Sequence, residues 1–130
     1  MMTRQGAGAQ GLTVDVEVGN EPADQVVAIL RDADAQSVTQ VKERGLNGIE
    51  TVIAAVVAVK GLARLAVRLS QIWTCAVVVD AREPRILAAK KCDLPQGTVE
   101  IILRDGKRST LTRPSERQVE SAVAVLGPTP

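Results

Sequence analysis

Alternation of apolar and polar side chains near the start of the chain predicts a half-buried strand. In residues 12–18 every second residue is Leu or Val, and the residues between them are Thr, Asp and Glu. This period of two places one side of a strand in a core. The run Asn20-Glu21-Pro22 then predicts the start of a helix whose apolar stripe ends near Ala33. A weaker pattern predicts a short strand in residues 37–42.

The segment from Ile49 to Trp73 is long, apolar and free of proline, and it predicts one long helix. Lys60, Arg64 and Arg68 recur at every fourth position, which places them on one side of such a helix. The segment is also rich in β-branched residues, so two strands are the alternative interpretation. A single strand of this length would far exceed the usual range, which favours the helix.

The remaining pattern predicts a strand-rich second half and a final helix. Apolar runs predict four further strands, at residues 74–81, 86–89, 98–103 and 107–112. Asp105-Gly106 lies between the last two and predicts a type I′ hairpin. Ser115 and Gln118 have the spacing of a capping box, and the apolar stripe that follows them ends at Leu126.

These elements together predict an α+β fold. We expect a small mixed or antiparallel sheet packed by two or three helices, one of them the long apolar helix. The length of 130 residues fits one domain with its own core. We assign that domain to residues 12–126, with a disordered lead-in at residues 1–11 and a flexible tail at residues 127–130.

The composition and spacing of residues exclude several kinds of catalytic and metal-binding site. The chain has no His, which excludes His-based triads and His metal sites, and its only aromatic residue is Trp73. Asp32 and Asp34 are two residues apart at a helix end and do not face each other. Gly6 and Gly8 lack the Lys and Ser or Thr of a phosphate-binding loop. We therefore predict no catalytic, cofactor-binding or metal-binding residues, and no enzyme.

Two cysteines are too few for a disulfide scaffold or a tetrahedral zinc site. We interpret Cys75 and Cys92 as buried, reduced thiols, with a disulfide between neighbouring strands as the alternative. Lys90 and Cys92 could line a pocket if the chain were a ligand-binding regulator. The first residues include no apolar stretch of the kind found in secretory signals, so we predict a cytoplasmic protein.

The net charge of the chain is only +1, but the charged residues are distributed unevenly along the sequence. Residues 1–50 carry eight acidic and four basic residues, a net charge of −4, whereas residues 51–113 carry eleven basic and five acidic residues, a net charge of +6. Such asymmetry suits binding of a polar partner or head-to-tail self-association, although a simply solvated surface would have the same pattern. The residues predicted to bind a partner are Lys60, Arg64, Arg68, Arg104, Lys107 and Arg108.

Membranes and nucleic acids are weaker candidate partners. The three cations after Val59 make a membrane-spanning helix costly. A basic amphipathic helix at residues 49–73 could instead lie on an anionic membrane surface. The basic residues of the second half could contact a nucleic-acid backbone, but aromatic stacking platforms are missing, so nucleic acid is not the expected partner.

The order of the elements resembles a known family. The resemblance rests on an acidic first helix after the opening strand, on Trp73 at the end of the long apolar segment, and on the Asp105-Gly106 hairpin before a final helix begun by Ser115. This pattern resembles the effector-associated constant component family of actinobacteria and some other multicellular bacteria. The resemblance implies a non-enzymatic component of a bacterial conflict or defence system. It would dock an effector, such as a protease or a nucleotide-signalling enzyme, or assemble with itself.

Overall fold

The computed structural model describes residues 11–19, 23–45 and 48–127, and this part of the chain forms one seven-stranded sheet and three α-helices. The strands are β1 (Leu12–Gly19), β2 (Gln36–Gly45), β3 (Gly48–Val57), β4 (Ala76–Asp80), β5 (Ile86–Lys91), β6 (Thr98–Ile102) and β7 (Arg108–Thr112). The helices are α1 (Ala23–Asp32), α2 (Val59–Ile72) and α3 (Glu116–Val123), and a 3-10 turn (Ala124–Leu126) follows α3. The predicted lead-in and tail lie almost wholly outside the described residues.

The sheet is mixed, which confirms the predicted α+β class. Its strand order is β2-β3-β1-β5-β4-β6-β7. Four of the six neighbouring pairs are antiparallel, whereas β1–β5 and β4–β6 are parallel. β1 lies inside the sheet and buries its four apolar side chains, as its alternating pattern predicts.

The predicted long helix at residues 49–73 is wrong in its first half. β3 occupies residues 48–57, and α2 begins only at Val59. β3 pairs with β2 on one side and with β1 on the other, so its β-branched side chains are in the backbone state they favour. The fourfold spacing of the cations begins at Lys60, inside α2. The helical period is therefore real only for the second half of the segment.

All three helices pack on the same face of the sheet. Their buried residues, such as Leu30 of α1, Leu65 of α2 and Val119 of α3, belong to one core with Val16 of β1 and Val79 of β4. No helix within the described residues is long and apolar enough to cross a membrane.

Two close contacts fix how the helices begin and meet. A Cβ added at Gly61 would lie 2.6 Å from the carbonyl oxygen of Ala33, so only glycine lets α2 approach the end of α1 this closely. At α3 the backbone N–H of Gln118 donates to the Ser115 hydroxyl (3.2 Å), and the N–H of Ser115 donates to the Gln118 side chain (2.8 Å). The predicted capping box is thus confirmed.

The β6–β7 hairpin differs from its prediction in the turn type. Gly106 has a φ of +87° but Asp105 is outside the left-handed region, whereas a type I′ turn needs both residues there. The N–H of Gly106 donates to the carbonyl of Leu103, and the N–H of Leu103 donates to the carbonyl of Lys107. The connection is therefore a three-residue loop with a left-handed glycine at its end.

The prediction of two reduced thiols is also wrong, because Cys75 and Cys92 form a disulfide. Ala76 and Lys91 are paired across β4 and β5, so the two cysteines occupy the next step of the same antiparallel ladder. Their Cα atoms are 4.6 Å apart. Cys92 is exposed and Cys75 half-buried, so the bridge closes the end of the β4–β5 pair near the surface.

Candidate interaction surface

Two of the cations predicted to bind a partner hold the helices together. The Arg64 guanidinium donates to the carbonyl oxygen of Asp32 at the end of α1 (3.0 Å) and to a carboxylate oxygen of Glu116 in α3 (3.3 Å). Arg68 donates to the carboxylate of Asp32 (3.1 Å). Both arginines are partly exposed, but their charges are matched by acidic groups of this chain. Part of the hydrogen-bonding capacity of both arginines is therefore used within the chain, and their role in binding a partner stays a prediction.

Lys60 lies on the same side of α2 but has no ion pair with any residue in the described ranges. It is exposed and shares a shallow hollow with Arg117, Glu120 and Ser121 of α3. Of the three predicted cations on this helix, Lys60 is therefore the one without an ion pair in the described residues.

The cations of the β6–β7 hairpin are in different situations. Arg104 is exposed and has no ion pair in the described part of the chain, and it lies beside Val125, which is 71% exposed. The Lys107 ammonium is 3.9 Å from the Asp105 carboxylate within the same loop. The Arg108 guanidinium is 3.5 Å from the carboxylate of Glu100 on β6.

The opposite face of the sheet, here called the open face, is covered by none of the described helices. Side chains on this face alternate with those of the core, and their apolar members are outside the core that the helices share. The apolar side chains of the interior strands on the open face are Val52, Ala54 and Val56 of β3, Ala76 and Val78 of β4, Leu87 and Ala89 of β5, and Ile102 of β6. Ala54, Val56, Val78 and Leu87 are half-buried, whereas the other four are buried. This is an apolar strip in the middle of a sheet face that no described helix covers.

A buried carboxylate lies beside this strip. The Glu100 side chain is only 10% exposed, because Lys91 of β5 and Arg108 of β7 flank it at 3.7 and 3.5 Å. Its Oε1 atom has no hydrogen bond with the described residues. The same Oε1 atom is the one that Lys91 and Arg108 approach, so two ion pairs compensate this buried charge.

Two ion pairs lie farther along the same face. Arg85 donates to the Asp15 carboxylate (2.8 Å) and so joins the turn before β5 to β1. The guanidinium and backbone N–H of Arg82 both bond to Asp80 (2.6 to 3.3 Å), and these bonds hold the pKa of Asp80 below its usual range. The pKa of Arg82 is raised by the same hydrogen bond. Charges of both signs thus border the apolar strip.

Among the described residues, neither an activated thiol nor a metal-binding cluster is formed. Both cysteine sulfurs are in the disulfide, so neither is a thiol that Lys90 could activate. Lys90 instead lies over the ring of Trp73, 5.6 Å from its centroid. In the described residues no group of three or more acidic or Cys side chains could hold a metal ion.

Sequence reasoning missed the open face and the burial of Glu100. The signal was present in β3 and β4, where Ala54, Val56 and Val78 are apolar on the side away from the core. Residues 49–57 are predicted as part of a long helix and residues 74–81 as an apolar strand, so neither prediction includes an uncovered sheet face. Comparison of the chain with family models, with curated proteins and with solved structures found no match.

Proposed function

We propose that the chain is a non-enzymatic interaction module that docks a protein partner on its open face. The observation that carries the proposal is the one-sided layering of the described residues, in which all three helices pack on one face of the sheet. The other face offers a half-buried apolar strip bordered by charges. Such a patch with a polar border is typical of a protein-binding surface.

The partner that fits this face is a protein surface with an apolar centre and hydrogen-bond donors at its border. Donors on that border would face the carboxylates of Asp15 and Asp80, whose ion pairs with Arg85 and Arg82 lie along the strip. The resemblance to the effector-associated constant component family supports an effector, such as a protease or a nucleotide-signalling enzyme, as that protein. A second copy of the chain is the other occupant that the test must distinguish.

The membrane-surface alternative has less support. It required an apolar helix side free to enter a lipid interface. The apolar side of α2, including Leu62, Leu65 and Leu69, is buried against the sheet. Protein docking on the open face needs no such rearrangement.

The test is a charge placed in the middle of the apolar strip. Leu87→Glu puts a carboxylate at a half-buried open-face position, and desolvating it would oppose docking. Val125→Glu is the matched control, because Val125 is an exposed apolar residue on the 3-10 turn, away from the open face. Each variant is co-expressed with proteins encoded next to this chain, and its folding is checked by thermal melting.

We expect Leu87→Glu to weaken co-purification by about tenfold or more, and Val125→Glu to leave it unchanged. Analytical ultracentrifugation of the wild type alone tests the second copy. Self-association that Leu87→Glu abolishes would identify a second copy as the occupant. Wild-type partner binding by Leu87→Glu, or no association of the wild type in either assay, contradicts the proposal.

A further inference from the structure

A polar cleft of about 450 Å³ shares no lining residue with the apolar strip. It forms where the end of α2, the turn before β6 and the segment after β7 meet. Its lining residues are Ser70, Gln71, Gln96, Gly97, Arg113 and Pro114. The volume is within the range of small-molecule sites in proteins.

Arg113 is held in this cleft by an unusual backbone. Its φ is +46°, a left-handed conformation that a residue with a side chain seldom adopts. Its N–H donates to the carbonyl of Gly97 (2.8 Å), which extends the β6–β7 ladder by one step. A Cβ added at Gly97 would lie 3.2 Å from Cγ and 3.7 Å from Nε of Arg113. The absence of a side chain at Gly97 therefore makes room for Arg113 to lie across it.

Apart from the Ser70 hydroxyl, which donates to the carbonyl of Val67 (2.6 Å), the polar side chains of the cleft are not engaged with the rest of the described chain. The Arg113 guanidinium has no ion pair there, and the carboxamides of Gln71 and Gln96 have no hydrogen bond to another described residue. Arg82 and Arg85 are also exposed, yet each bonds to a carboxylate. Residues in sparsely populated backbone conformations cluster at binding sites, because the site keeps them there at a cost in conformational energy. Arg113 combines such a conformation with a guanidinium that has no ion pair in the described residues.

The disulfide fixes two walls of the cleft relative to each other. Cys75 follows Gln71 by four residues, and Cys92 precedes Gln96 by four residues. The covalent bond therefore joins the segment that leaves α2 to the segment that enters β6. A cleft braced in this way loses little conformational freedom when a ligand binds.

We propose that this cleft binds a carboxylate group, presented by a peptide C-terminus or by a small organic acid. The planar guanidinium of Arg113 matches the two oxygens of a carboxylate, and the carboxamides of Gln71 and Gln96 match neighbouring amide or hydroxyl groups. The only aromatic residue, Trp73, is buried in the core, so the cleft lacks an aromatic surface on which a nucleobase could stack. Stacking on an aromatic ring therefore contributes nothing to binding in this cleft.

The experiment is a calorimetric titration of the full chain with N-acetyl-dialanine, with its C-terminal amide, with citrate and with inorganic phosphate. Arg113→Gln removes the charge, and Arg113→Gly removes the side chain while relieving the left-handed backbone. Arg104→Gln is the matched control, because Arg104 is another exposed arginine without an ion pair in the described ranges, on the hairpin.

We expect the free carboxylate peptide or citrate to bind, and both Arg113 variants to weaken that binding by about tenfold or more. Arg104→Gln should bind as the wild type does. Preference for the peptide would identify a C-terminus as the source of the carboxylate, and preference for citrate a small acid. The proposal is overturned by equal binding of the amide, by stronger binding of phosphate, by unchanged binding in the Arg113 variants, or by no binding at all.

Discussion

On β5, Ile86 faces the helices and is 1% exposed, whereas its neighbour Leu87 faces the other way and is half-buried. Successive side chains of each strand point to opposite faces, and the same contrast holds for Ala55 and Val56 of β3 and for Val79 and Val78 of β4. On the helix face, charges such as Arg64 join elements that are distant in sequence. On the open face they border an apolar strip. Within the described residues, helices cover one face of the sheet and none of them covers the other.

The largest expected effect comes from comparing substitutions at two neighbouring positions of β5, one on each face of the sheet. Ile86→Ala removes a fully buried side chain, and we expect it to lower the free energy of unfolding by about 3 kcal/mol. Leu87→Ala removes a side chain that is already half in water, and we expect a loss of about 1 kcal/mol. Urea denaturation of both variants measures the two values. Equal losses would mean that the open face is covered in solution.

A second test compares two cations of α2. Arg64→Gln breaks the contacts to Asp32 and Glu116, and we expect it to cost about 1 kcal/mol of stability. Lys60→Gln is the control, because Lys60 has no ion pair in the described part of the chain, and its stability should match that of the wild type. Equal stability of the two variants would show that the arginine does not hold the helices together.

The ion pairs of Arg64 and Arg68 also affect how their predicted role in partner binding can be tested. Reversing the charges of Arg64 and Arg68 would place new carboxylates beside Asp32 and Glu116. Lost partner binding in such a variant would then report weakened helix packing. Lys60 and Arg104 are the better positions at which to test a cationic contact.

The elements that the sequence predicts well are those whose pattern has one period. β1 alternates cleanly, and α3 begins with a local capping motif, so both follow from short-range rules. Residues 49–73 combine the period of a strand with the period of a helix. A prediction of one element for the whole segment therefore misses the change from strand to helix at Ala58. β-branched composition was the correct signal in the first half, and cation spacing was the correct signal in the second.

Contacts between residues that are far apart in the sequence do not follow from such short-range patterns. The disulfide depends on β4 and β5 being neighbours, and seventeen residues of separation do not reveal that pairing. The same holds for Arg64 with Glu116, and for Arg113 over Gly97. Persistent disulfides are rare in reducing compartments, so the cytoplasmic location stays a prediction that this bond does not support.

The smallest expected effect concerns the charges that border the open face. Asp80 has a lowered pKa because Arg82 donates to its carboxylate, so the folded state favours the ionised form. This stabilisation is fully present above the ordinary Asp pKa of about 3.9, and it is lost as the pH falls through the lower pKa of the folded state. Asp80→Asn should therefore lower Tm slightly at pH 7, by less than about 4 °C. The difference in Tm from the wild type should shrink below pH of about 4.

The control for this prediction is Glu83→Gln, a substitution at an exposed acid of the same turn, which should leave Tm unchanged at both pH values. A Tm difference for Asp80→Asn that does not depend on pH would show that the Asp80 side chain acts by packing, and that its ion pair with Arg82 contributes nothing to this face.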